Sequence, residues 1–181
     1  MVRVNTRDEI LRVAAGMFTR VGFKGTSLQD IADEVGCSKA ALLYHFAGKE
    51  QILLALISEA EQAFAALVAE LTVLDDAAVQ AAAIEGFIDL VLVHRRAATL
   101  LYDVMPQFKE HPGFAEVLKM ADVLCAAIIA RSTEPADQIA AAMVLQGIVS
   151  VAIDDERDAA ELRPALLRVT RRALIHPLDK D

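Results

Sequence analysis

From Ile10 to Ala173 the apolar residues recur every three or four positions. Nowhere do Val, Ile, Thr and aromatic residues alternate with polar ones over the length of a strand, so nothing in the chain calls for a sheet. An all-α fold is expected. The first helix opens at Thr6-x-x-Glu9, the spacing of a capping box, and carries Ile10, Ala14, Met17, Phe18 and Val21 on one side. Gly22 is read as its end. A short second helix follows, capped by Thr26 or Ser27, with Leu28, Ile31, Ala32 and Val35 spaced i, i+3, i+4, i+7. Gly36 stops it and Ser38 caps a third helix two residues later, with Leu42 and Phe46 facing inward. After Gly48 a long helix is expected from Lys49 to about Leu71. Further helices are placed near 76–94, 97–105, 113–131, 134–153 and 163–175, with Pro164 in the first turn of the last.

Charge and composition divide the chain in two. The net charge is -8 over 181 residues, yet residues 1–50 carry seven Lys/Arg against six Asp/Glu and residues 51–181 carry eleven against twenty. Five of the eight glycines lie in the first part, and all five prolines lie beyond residue 100. We therefore place an N-terminal module at 1–48, joined through the long helix 49–71 to a larger helical module spanning 49–181. The two cysteines, Cys37 and Cys125, form no CxxC unit and read as buried free thiols. No stretch of about 20 uninterrupted apolar residues suggests a membrane span, and the first residues lack the pattern of a secretory signal. No membrane partner and a cytoplasmic location are expected.

The stretch 27–46 reads as a helix-turn-helix. Ala32 is small enough for close helix approach, Gly36 suits a tight turn, and the helix after Ser38 has the width of a DNA major groove. Gly22, Thr26, Ser27, Leu28, Ile31, Ala32, Gly36, Ser38, Leu42, Phe46, Lys49 and Glu50 fall in register with the N-terminal pattern of the TetR family of bacterial transcriptional regulators, which this segment resembles. Cys37, Ala40 and Leu43 depart from it, standing where Val, Gly and a tyrosine are common. The resemblance is dense only over about residues 5–55. It implies an N-terminal three-helix DNA-binding domain followed by a ligand-binding and dimerisation domain. It further implies phosphate contacts by Thr26 or Ser27 and by Lys49, and a groove-facing surface of Ser38, Lys39, Ala40, Leu43, Tyr44 and His45, with Gln29 as a lesser contact.

One short helix offers few contacts, so a reader of this kind is expected to be a homodimer on an inverted-repeat, double-stranded operator. The helix at 134–153 is apolar nearly all round, and the last helix sets Leu162, Leu166, Val169 and Ala173 beside four arginines; these two are expected to form the dimer contact, against the plainer reading of 134–153 as a core helix. Larger residues among the middle alanines, Phe87, Val91, His94, Tyr102, Met105, Phe108, Met120 and Leu124, are candidates to line a site for an unknown small-molecule effector. His111 and Arg95 are further polar candidates. No motif of nucleophilic, phosphate-binding or zinc-dependent catalysis occurs, so neither an enzyme, a metal nor a cofactor is expected. The reading is a repressor released by its effector. Its rival is a helical interaction or effector-binding protein whose helix-turn-helix binds DNA non-specifically or only with a corepressor.

Overall fold

A computed structural model describes residues 6–108 and 111–174, with the side chains of 106–108 left aside. Among these residues there are nine α-helices and no strand: α1 Thr6–Gly25, α2 Leu28–Val35, α3 Lys39–His45, α4 Lys49–Val73, α5 Asp76–Val93, α6 Arg95–Phe108, α7 Ala115–Ile128, α8 Pro135–Asp154 and α9 Ala159–Leu174. A single 3-10 turn, Pro112–Phe114, precedes α7. The all-α expectation holds. Two compact units form, one of Met1–Glu59 with Thr99–Phe108, the other of Ala60–Ala98 with Lys109–Asp181. The chain passes from unit to unit within α4, within α6 and again after α6.

In the first unit α1 does not stop at Gly22. That residue takes φ 80°, ψ 159°, a conformation open to glycine, and the helix resumes beyond the break as far as Gly25. The Phe23 N–H just after the break points to Asp103 Oδ2 of α6 at 3.4 Å. Thr6 is the first helical residue of α1, and the Glu9 carboxylate accepts from Arg12 (Nε 3.0 Å, Nη2 2.5 Å) in place of the expected box. Ile10, Ala14, Phe18, Phe23, Ile31, Ala32, Leu42, Phe46, Ile52 and Leu53 are buried. Phe18 and Phe23 meet with ring centroids 5.1 Å apart.

The second unit is a helical bundle around α5, whose Val79, Ala83, Ile84, Ile88 and Val91 join Leu124, Ile128, Ala141, Ile148, Leu162 and Leu166 in one core. Gly86 lets α5 lie against α4, since a Cβ there would stand 2.3 Å from Leu67 Cδ1. Polar ties fasten the outside. Arg163 grips Asp89 with two bonds of 2.6 and 2.9 Å, and Arg171 reaches Glu85 at 2.5 Å. Arg131, in the left-handed region at φ 58°, pairs with Asp76 and donates to the Leu74 carbonyl at 3.0 Å, satisfying backbone where α4 ends.

Two further expectations are corrected here. The last helix begins at Ala159, because Asp158 Oδ1 accepts from the Glu161 N–H at 2.9 Å and caps it a turn early; Pro164 consequently lies inside α9, beyond its first turn. The two cysteines are free but half-buried. By length and mean composition α4 and α8 would each suffice to cross a membrane, although neither holds about 20 uninterrupted apolar residues. Alanine supplies much of that apolarity, and α8 turns Ala141, Ile148 and Ala152 into the core of its own unit.

Candidate nucleic-acid interface

Helices of seven and eight residues are too short to persist by backbone bonding alone, so α2 and α3 depend on their ends. At α2 the box is complete. Ser27 Oγ accepts from the Asp30 N–H (3.1 Å) and Asp30 Oδ2 accepts from the Ser27 N–H (2.8 Å). The Ser27 hydroxyl and backbone together hold the Asp30 carboxyl below its ordinary pKa. At the other end Gly36 takes the left-handed conformation, φ 77°, ψ 30°, and the Cys37 N–H returns to the Ala32 carbonyl at 2.9 Å. Ser38 Oγ then accepts from the Ala41 N–H at 3.1 Å and starts α3.

The buried anchor of α3 is Leu42, with Phe46 at its end; Arg7 lies over the Phe46 ring, 5.1 Å from its centroid. The opposite side faces solvent. Lys39, Ala40, Leu43 and Tyr44 are all exposed, Tyr44 to 86% and Leu43 to 42%. His45 is half-buried, its ring edge-on to Tyr44 at 5.3 Å. Ser27, Gln29 and Ser38 are also exposed, Gln29 Nε2 donating to Asp33 Oδ1 at 2.7 Å.

Two sequence candidates are turned inward. Thr26 is 2% exposed and its hydroxyl donates to the Gly22 carbonyl at 2.9 Å, which leaves Ser27 as the residue at the α2 entrance whose side chain faces solvent. Lys49 Nζ donates to the carbonyls of Phe23 (2.5 Å) and Thr26 (2.8 Å) and stands 4.3 Å from the centre of the Phe23 ring. It bridges the start of α4 to the corner between α1 and α2. Sequence reasoning missed this tie, because both acceptors are main-chain atoms more than twenty residues away.

The effector candidates are scattered. In the second unit Val91 and Leu124 are core residues and Phe87 packs against that core. His94 ends α5, its N–H donating to the Leu90 carbonyl at 3.0 Å, and Met120 is half-buried on α7. Tyr102 and Met105 fall in the first unit, Tyr102 exposed; the side chain of Phe108 lies outside the described residues. Of the two further candidates, His111 Nδ1 accepts from the Gly113 N–H at 3.1 Å and Arg95 Nη1 donates to the Asp155 carbonyl at 3.2 Å.

Residues 10–56 match the family of bacterial regulatory proteins, tetR family. Over these residues the N-terminal module is similar to that of the TetR family. The repressor KstR2 of Mycolicibacterium smegmatis is 47% identical over 47 residues, 26% of this chain and 23% of that protein. The repressor AcnR of Corynebacterium efficiens is 36% identical over 67 residues, 37% of this chain and 36% of that protein. The chain thus matches between about a quarter and about a third of the length of these curated relatives. The fold likeness runs much further. The ketosteroid transcriptional regulator KstR2 of Mycobacterium tuberculosis superposes with a TM-score of 0.71 at 16% identity over 94% of both chains. SCO3833 of Streptomyces coelicolor, a TetR-family regulator, gives 0.72 at 20% identity over 96% of this chain and 93% of that one.

Proposed function

We propose that this chain is a sequence-specific, DNA-binding transcriptional repressor of the TetR family, in which α3 enters the major groove of an operator. The observation that carries the reading is the two-sidedness of α3: Leu42 is buried beneath it while Lys39, Ala40, Leu43 and Tyr44 face solvent. Ser27, Gln29 and Ser38 are offered to the flanking backbone from two helix entrances, where N–H groups and hydroxyls suit phosphate. Thr26 and Lys49 serve this surface from within, by holding the corner on which α2 is mounted.

The protein works as a homodimer on an inverted repeat, because two recognition helices about 34 Å apart double the contacts of one. Support comes from α8. Ile139 (62% exposed), Met143 (70% exposed), Gly147 and Val151 follow one another at i+4, and nothing lies within 4 Å of where a Gly147 Cβ would stand. Val169 adds an exposed apolar group on α9. An apolar strip of this kind on a helix already buried along its other side fits an isologous contact through α8 and α9. A small-molecule effector held in the second unit releases the operator by favouring the form that binds DNA less well. A cytoplasmic location follows from this role.

The test is selection of a random duplex library by the purified protein at about 150 mM salt, near physiological ionic strength. An enriched inverted repeat is the expected result. Failure of a folded protein to enrich any sequence would refute the operator-binding reading.

A further inference from the structure

The centre of the outward face of α3 is apolar. Residues step about 100° around a helix axis, so Lys39, Leu43, Ala40 and Tyr44 fan in that order across about 140°, away from the buried Leu42. The groups able to hydrogen-bond, Lys39 and Tyr44, stand at the two edges of this fan. Leu43 and Ala40 fill its middle, and neither side chain has a donor or an acceptor.

Resting on the reading that α3 lies in a major groove, we infer that Leu43, with Ala40 beside it, determines specificity by recognising the C5-methyl group of thymine. Guanine and adenine present acceptors and donors to that groove, and cytosine presents an amino group; the thymine methyl is the apolar group in the pattern. A leucine pressed onto a guanine edge would strip water from N7 and O6 and return no hydrogen bond. Pressed onto a methyl, it removes apolar surface from water on both sides. Leu43 has that surface to give, being 42% exposed while Leu42 beside it is fully buried. Ala40, one turn away on the same face, is short enough for the base edge to come close. Lys39 and Tyr44 are left to bracket this contact from either edge.

Deoxyuridine tests the assignment directly, since it keeps every hydrogen-bonding atom of thymine and lacks only the methyl. Each thymine of the selected half-site is replaced in turn, and affinity is measured for the natural chain and for Leu43→Ala, whose exposed position leaves the helical circular-dichroism signal unchanged. At one thymine position in each half-site, deoxyuridine is expected to weaken the natural chain about fourfold, the scale of one buried carbon. Leu43→Ala is expected to bind the thymine duplex more weakly and to lose nothing further with deoxyuridine. The inference is overturned if no deoxyuridine alters binding by the natural chain, if the full penalty survives in Leu43→Ala, or if the selected half-site holds no thymine. A natural chain that selects no sequence at all brings down the operator-binding reading instead, and this inference with it.

Discussion

In the first unit a small apolar core is supplemented by polar groups at the ends of the short helices α2 and α3, whereas the second rests chiefly on apolar area along the flanks of long helices. In α2 and α3, Ser27, Asp30, Gly36 and Ser38 each perform a task that few other residue types perform as well. In the bundle around α5, Ile, Leu, Val and Ala fill one continuous core in which such residues exchange readily when volume is kept. The contrast explains how far each comparison reaches. Relatives share sequence over residues where end chemistry is specific, whereas structures share the fold over almost the whole chain.

That contrast can be broken most forcefully at Leu42, the fully buried side chain of α3. Leu42→Ala is expected to cost about 2–5 kcal/mol locally and to abolish operator binding, while Ile88→Val in the bundle costs about 0.5–1.5 kcal/mol and leaves binding intact. Hydrogen exchange along α3 and α5, with a duplex-binding assay, checks both. Equal tolerance at the two positions would dissolve the distinction.

Next in size is Lys49→Met, which keeps the length of the side chain and removes the ammonium from two carbonyls. A loss of about 1.5–3 kcal/mol, the range for hydrogen bonds from a charged group, is expected in denaturant titration without DNA present. If stability holds and only DNA binding falls, with a shallower salt dependence, Lys49 is a phosphate contact after all.

Ser27→Ala should cost about 1 kcal/mol, the ordinary worth of such a cap. Its partner gives the effect a pH signature. The Asp30 carboxyl is held below its ordinary pKa in the folded chain, so its contribution is complete above the unfolded value and disappears as pH falls through the lower folded value. In acid titrations the natural chain and Asp30→Asn should therefore converge in stability at low pH, separate as pH rises from the lowered folded value to the unfolded one, and stay apart by a constant amount above it.

The smallest effect is expected at Arg163→Gln in the second unit. The Asp89 carboxylate lowers the tendency of Arg163 to lose its proton, but both side chains are more than two-fifths exposed, so water and salt screen the pair. Melting curves should show a slight downward shift at low ionic strength that vanishes at high salt. A large, salt-resistant loss would mean that the bundle too leans on specific polar groups.

How much of this was legible in the sequence follows the same division. Helix α2 appears over the same residues as expected, and α3 starts at the expected cap, because the deciding groups lie within four residues of one another. The resumption of α1 beyond Gly22 and the early start of α9 were missed: α1 recovers beyond a single glycine, and Asp158 outcompetes Pro164 as the signal of a helix start. Within the site, exposure of Lys39, Ala40, Leu43 and Tyr44 followed from the helical period. The inward turn of Thr26 and Lys49 did not, because a side chain long or polar enough for phosphate is equally fit for a carbonyl that only the folded chain brings near. Size and spacing are what the sequence offers for the effector candidates, and these properties mark a core residue as well as a ligand contact.

The meeting of α4 and α5 also bears on how such a chain can change over generations. With a Leu67 methyl 2.3 Å from where a Gly86 Cβ would stand, the two positions share one allotment of space. A lineage that acquires a side chain at 86 before trimming residue 67 passes through a strained intermediate, and one that trims first passes through a loosened one. Each replacement makes the other easier, so the two positions are expected to change together rather than independently.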